Sequence, residues 1–312
     1  MMYTHVPVMC DEVLTYLAPS LCAPGAILVD ATLGLGGHSL AALERFDSIT
    51  VVGIDRDPQA IETASARLAP YADRFETHLA TYDEIDEVLA GRSAQAILFD
   101  LGLSSLQIDS TERGFAYSTD APLNMRMDAD ESRLTAADVV NTYSADDLAR
   151  IFTAYGEEKF AVRIARAIVD ARAQEPFSTS ARLVETIVSA VPAGLTRGHP
   201  AKKVFQAIRM EVNDEPTHLG RAIPTALGCL ALGGRMAVLS YHSGEDRLVK
   251  QIFADARSDH VPHGVAVVPD QYQAQFRLVT RGALKPCDDE MMCNPRSQSA
   301  RLRVIERIKE DR

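Results

Sequence analysis

The chain has 312 residues, 46% hydrophobic and 24% charged, with a net charge of −11, enough for one large core or a core with a smaller domain beside it. No run approaches the roughly 20 uninterrupted apolar residues needed to cross a bilayer, and the opening MMYTHVPVMCDEVL lacks the basic-then-apolar pattern of a secretory leader. Five scattered cysteines (Cys10, Cys22, Cys229, Cys287 and Cys293) give neither a disulfide framework nor a metal-ligand spacing, so the expectation is a reduced, cytoplasmic, metal-free protein.

In chain order, the first element is a strand, AILVDATL (26–33), running into a glycine turn at DATLGLGGHS (30–39) and then a helix, SLAALERF. A dinucleotide fingerprint wants G-x-G-x-x-G at this point. Here Gly34, Gly36 and Gly37 give G-x-G-G, and Ser39 stands where the third glycine belongs. Gly36 and Gly37 leave the turn bare, so a ligand can lie against the backbone. A second strand, ITVVGID (49–55), ends in Asp55, 19 positions after Gly36, a distance suited to holding ribose hydroxyls. That pattern favours S-adenosylmethionine over a pyrophosphate-bearing cofactor. It disfavours a nicotinamide-dependent dehydrogenase.

A helix, PQAIETASARLAPYA, follows, then a third strand region before LATYDEID, where the ring of Tyr82 is placed to pack near an adenine or simply against the core. The strand AQAILFDLG (94–102) ends in Asp100. Near-continuous apolar strands alternating with helices predict a parallel sheet covered on both faces, with ligands at the carboxyl ends of the strands. Asp30, Asp55, Asp100 and Tyr241 then converge on one crevice.

The alternation stops after Gly102. The segment 99–128 is rich in glycine and polar residues and has the character of a functional loop. Gln107 within it is a candidate for the cofactor's amino-acid end, with an ordinary exposed loop glutamine as the alternative. Helical patterns fill the next stretch, and the predicted insertion spans 109–205, between core segments 1–108 and 206–312. A further helix, AKKVFQAIRMEVNDE (201–215), precedes strands at GRMAVLSY (234–241), GVAVVP (264–269) and ARLRVIERI (300–308).

Asp100 suits an exocyclic amine as acceptor. Methyl transfer to such a nitrogen needs its lone pair freed from the ring, and a carboxylate accepting the amine's hydrogens helps orient it. Charge is divided unevenly: residues 1–195 hold 14 Lys+Arg against 29 Asp+Glu, and residues 196–312 hold 18 against 14. A polyanion can therefore meet the C-terminal part without meeting the average. There NPRSQSARLRVIERIK gathers Arg296, Arg301 and Arg303, the last two on one face of a strand. A basic segment with no partner is the alternative.

The ordered set HVPVMCDEVL, DATLGLGGHS, GIDRDPQAI, DLGLSSLQIDSTERGFAY, PLNMRMD, VFQAIRMEVNDE, SYHSGEDR and NPRSQSARLR resembles the bacterial RsmH (MraW) family, from about residue 5 to residue 307. The resemblance implies a class I (Rossmann-like) S-adenosylmethionine-dependent methyltransferase core, α/β, with an inserted all-helical domain that helps recognise RNA. It implies methylation of a cytidine N4 in the decoding region of 16S rRNA, with the small ribosomal subunit as partner. It leaves monomer and homodimer open. The implied cofactor contacts are Gly36, Gly37, His38, Asp55, Tyr82, Asp100 and Gln107. The family often carries phenylalanine where Tyr82 stands. DLGLSS also lacks the prolines and aromatic of the D-P-P-Y type motif, so the base clamp of amino-methylating DNA enzymes does not transfer. A methyltransferase for another RNA or a protein, and a cofactor-sensing ribosome-assembly factor, are the competing readings.

Overall fold

The computed structural model describes residues 7–104, 113–128, 134–192, 194–195, 198–259, 269 and 272–310. Contacts divide the chain into two compact units, 1–102 with 217–312, and 103–216. The sequence had drawn these boundaries at 108/109 and 205/206. The difference at the second boundary is the amphipathic helix Ala201–Val212, whose apolar face is buried in the helical unit's own core.

The first unit is built on a seven-stranded sheet in the order β3-β2-β1-β4-β5-β7-β6. Its strands are β1 (Ile27–Asp30), β2 (Thr50–Asp55), β3 (Phe75–Leu79), β4 (Ala94–Asp100), β5 (Leu230–Ser240), β6 (Phe276–Leu278) and β7 (Arg301–Arg307). The first five pair in parallel. β7 runs antiparallel to β5 and to β6, so the parallel pairing expected from the alternating strands and helices stops at that edge. The expected strand at 264–269 falls almost wholly outside the described residues.

Burial is nearly continuous along β1, β2 and β4, as a sheet covered on both faces requires, with successive side chains entering opposite cores. Leu28, Ala96, Leu98, Ala237, Leu239, Leu302 and Val304 share one core. It is closed by α1 (Cys10–Leu17), α2 (Gly37–Arg45) and α3 (Pro58–Leu68). Val29, Ile97, Phe99, Met236, Val238 and Ile305 share the other. That face is covered by α4 (Ile85–Leu89) and by two later helices, α10 (Glu215–Cys229) and α11 (Ser243–Ala256).

The second unit is helical: α5 (Ala136–Thr142), α6 (Ala145–Ala154), α7 (Ala161–Gln174), α8 (Ser180–Ala190) and α9 (Ala201–Val212). Leu148, Ile151, Phe152, Ile164, Ile168, Leu183, Ile187, Val204 and Ile208 interlock in its core. Buried Asn213 ends α9 and ties a strandless segment to it. Its amide donates to Met125 O and to Arg209 O, and its Oδ1 accepts from Met127 N, all at 2.8 Å. A short α12 (Asp288–Cys293) lies in the first unit before β7. No helix among the described residues is long and apolar enough to cross a membrane.

Candidate active site

Asp30, Asp55 and Asp100 are the last residues of β1, β2 and β4, and Tyr241 follows the last residue of β5. Since β2, β1, β4 and β5 are neighbours in that order, all four residues stand along one edge of the parallel sheet. Asp30 is 2% exposed, and burial raises its carboxyl above the usual range. Ser39 Oγ donates to Asp30 Oδ2 at 2.7 Å. The serine that replaces a third glycine therefore satisfies a buried carboxyl of the core.

The two turn glycines have reasons other than the bare backbone expected of them. Gly36 sits at φ +70°, and a Cβ there would meet Leu68 and Ala64 of α3 at 3.1 and 3.3 Å. At Gly37 a Cβ would come within 2.7 Å of Pro7 Cγ. The space each glycine leaves is filled by the protein itself, and the turn is clamped between α3 and the N-terminal segment. What the turn can offer a ligand is the set of backbone N–H groups that open α2.

Asp55 is fixed by that turn. Gly34 N donates to its Oδ2 at 2.8 Å, and Asp57 N donates to its Oδ1 at 2.9 Å. Each oxygen keeps a lone pair for a hydroxyl. Burial pushes the carboxyl up to about 6 against the lowering effect of these two N–H groups.

Asp100 sits among groups that follow two neighbouring strands, β1 and β5. Its own N–H donates to Thr32 Oγ1 at 2.6 Å. The Tyr241 hydroxyl donates to its Oδ1 at 2.6 Å. His38 Nε2 lies 3.4 Å from Oδ2, too far and too poorly aligned for a hydrogen bond, so the pair is ionic. Burial alone would lower the histidine's pKa. The Asp100 carboxylate, with Cys10 beside it, outweighs that and carries the ring up to about 10. That shift favours the protonated ring at neutral pH, and neither ring nitrogen makes a well-aligned hydrogen bond. The Asp100 side chain is 26% exposed, so a small acceptor can reach it.

Tyr82 follows β3. Its ring meets Phe99 edge-on at 6.0 Å and His218 at 6.4 Å. His218 Nδ1 is 2.9 Å from Asp83 Oδ1, and Arg221 contacts Asp83 Oδ2 at 2.7 Å. Burial would raise the Asp83 carboxyl, but its hydrogen bonds with Thr81 and His218 hold it below the usual range. Sequence reasoning missed this brace, because Asp83 and His218 lie 135 positions apart.

Gln107 lies outside the described residues. Arg303 is spoken for: its guanidinium makes two hydrogen bonds, 2.8 and 3.1 Å, to the carboxylate of Asp246 on α11. The fork that was expected to grip phosphate grips the protein's own helix. Arg301 is half-exposed on the same strand, and Arg296 is exposed.

S-adenosylmethionine carries an adenine, a ribose diol, a methionine carboxylate and a sulfonium. The residues here fit those parts. A braced aromatic edge at Tyr82, a carboxylate with spare lone pairs at Asp55, and a cationic imidazole with two orphaned nitrogens at His38 are the matching groups. This strand order, with its seventh strand antiparallel, a glycine turn after β1 and an acid ending β2, defines a class I S-adenosylmethionine-dependent methyltransferase. Within that class, the model of the MraW methylase family matches residues 2–308, and the chain belongs to that family. A protein of Nocardioides sp. named ribosomal RNA small subunit methyltransferase H is 57% identical over 309 residues, covering 97% of each chain. Proteins of the same name from Saccharopolyspora erythraea and Streptomyces avermitilis are 55% and 53% identical. They cover 98% of this chain, and 94% and 98% of their own lengths.

Proposed function

We propose that this protein methylates N4 of a cytidine in the decoding region of the small-subunit rRNA, in the cytoplasm, with S-adenosylmethionine as donor. The names of its relatives support the small subunit as substrate. The residue that carries the choice of an amine is Asp100, a partly exposed carboxylate at the sheet edge between the glycine turn and the end of β5. Bound S-adenosylmethionine supplies an electrophilic methyl group. Gly36, Gly37 and His38 hold its amino-acid portion, Asp55 its ribose and Tyr82 its adenine. Gln107 adds a contact from the loop.

Asp100 accepts a hydrogen from the cytosine N4 amine and so turns the nitrogen lone pair out of conjugation. Catalysis is then positioning. The N4–methyl bond forms as the sulfur–methyl bond breaks, the sulfur keeps that bond's electron pair and leaves as a neutral thioether, and the methylated nitrogen gives its extra proton to water. No cysteine lies between residues 100 and 128, where a nucleophile attacking the ring would belong, so the transfer is direct.

The target base must leave its stack to reach this edge, at about a few kcal/mol. Backbone contacts made by the helical unit and by Arg296 and Arg301 offset that cost. Arg303 contributes by holding β7 in place.

The test is nucleoside mass spectrometry of small subunits lacking the modification, incubated with protein and S-adenosylmethionine. N4-methylcytidine should appear with the wild type and vanish with Asp100→Ala. A methylated product of any other kind would refute the amine assignment. Rescue of subunit maturation by an inactive Asp55→Ala protein would favour an assembly factor instead.

A further inference from the structure

We propose that Tyr241 is a positioning residue for the transfer: its hydroxyl locks the Asp100 carboxylate in one rotation, so that Oδ2, which His38 Nε2 faces at 3.4 Å without a hydrogen bond, is the atom that accepts the substrate amine. This rests on the reading of Asp100 as the amine's acceptor.

The hydroxyl-to-Oδ1 contact is 2.6 Å, and both ends of it are held. On the Asp100 side, the strand continues its pairing past the last β4 residue, with Leu101 N donating to Leu239 O at 3.0 Å, while Thr32 takes the Asp100 N–H. On the Tyr241 side, the backbone N–H donates to Glu245 Oε2 at 2.8 Å. Glu245 belongs to a reciprocal cap at the start of α11, in which its N–H is taken by the His242 side chain. The sequence stretch SYHSGED is thus a helix cap that places a phenol. The ring lies over Gly102, where a Cβ would be 3.5 Å from Tyr241 Cδ2. Gly102 has φ +101°, a conformation that side chains disfavour.

Burial, then the charge and hydrogen bond of Asp100, and the nearby Glu245 and Glu290 push the Tyr241 hydroxyl far above the ordinary phenol range. That direction keeps the hydroxyl protonated, as the donor to Asp100 Oδ1. Around Asp100 itself the charged neighbours are His38 on α2 and Asp30 on β1.

A carboxylate with one oxygen held by a fixed donor has a defined free face. That asymmetry gives an unusual test. In Asp100→Asn the tyrosine hydroxyl can still donate to the new amide's oxygen, an arrangement that puts the NH2 group in the Oδ2 position, where it opposes the substrate NH2. Removing the hydroxyl lets the amide turn over and offer its oxygen. The double variant Asp100→Asn with Tyr241→Phe should therefore be faster than Asp100→Asn alone, by threefold or more in single-turnover formation of N4-methylcytidine. Tyr241→Phe in the wild-type background should be about 10- to 100-fold slower than wild type, with S-adenosylmethionine affinity changed less than twofold. A residue serving only the fold gives losses that add in the double variant.

Losses that add, or a wild-type rate for Tyr241→Phe, would overturn the role of Tyr241 while leaving the amine reading intact. Failure of the wild type itself to make N4-methylcytidine would overturn the reading beneath it. Should Tyr241→Phe fold poorly, Tyr241→Met covers Gly102 without a hydroxyl and carries the same expectations.

Discussion

Asp55 is held by two backbone N–H groups and yet titrates near 6, because burial outweighs them. Its folded pKa lies above its unfolded value of about 3.9. The contribution to stability is therefore fully present below about pH 4 and is lost as pH rises through 6, on the order of 3 kcal/mol in all. Urea unfolding of the ligand-free protein between pH 4.5 and 7.5 should show this decline, and an Asp55→Asn variant should lack it. A ribose diol donating to the ionised carboxylate reverses the demand. S-adenosylmethionine affinity should fall about tenfold per pH unit below 6, measured by calorimetry, and Asp55→Asn should flatten that dependence. The same residue thus costs stability at neutral pH and supports binding there.

At the scale of elements, β7 shows how one strand's charges take different roles. Arg303 joins β7 to α11 through Asp246, with both side chains mostly buried. Arg303→Ala should cost about 2–4 kcal/mol of stability, since it strands a largely buried carboxylate. Arg301→Ala should leave the melting temperature unchanged. It should weaken binding to the small subunit and lower the log–log salt slope by about 1. Equal effects from the two variants would remove this division of roles. In the helical unit, Asn213→Ala deletes three buried hydrogen bonds and leaves the Met125 carbonyl and the Met127 N–H without their partner. A loss of about 3 kcal/mol is expected in denaturant unfolding.

Elements buried on both faces were the legible ones. β1, β2 and β4 stand out as apolar runs because helices cover both sides of them. The edge strand β3, sequence FETHL, has no buried residue and shows no such run, and β6 has only three residues. The antiparallel course of β7 depends on its connection, which composition does not encode. α10 went unread because Pro216, Gly220, Pro224 and Gly228 punctuate it, though Pro224 lies inside the helix. The acids at strand ends could be seen in advance. What each acid touches could not: the donor to Asp100 lies 141 positions away, and the turn glycines face Pro7 and α3.

For the whole molecule, the helical unit alters the charge argument. Residues 103–216 carry 13 Lys+Arg against 17 Asp+Glu, so this unit is itself acidic, and recognition of RNA by it must rest on shape and local contacts. With −11 overall, binding to unrelated RNA should be lost at about 150 mM salt, within the screening range for exposed charges, while binding to the cognate subunit persists. Filter binding against a transfer RNA and against the small subunit measures both. Similar affinities for the two would show that sequence-independent phosphate contacts dominate.

The insertion between β4 and β5 also sets a timetable. Asp100 is made early, but its neighbouring strand β5 begins at residue 230, after the entire helical unit has been synthesised. Domains emerge and fold from the N-terminal side at about 5–20 residues per second, so the glycine turn and three acidic strand ends leave the ribosome many seconds before Tyr241 and β7. A half-made chain has the beginnings of a cofactor pocket and no means of aiming a methyl group. Competence waits for the segment from residue 230 onward, which is made only after the whole helical unit.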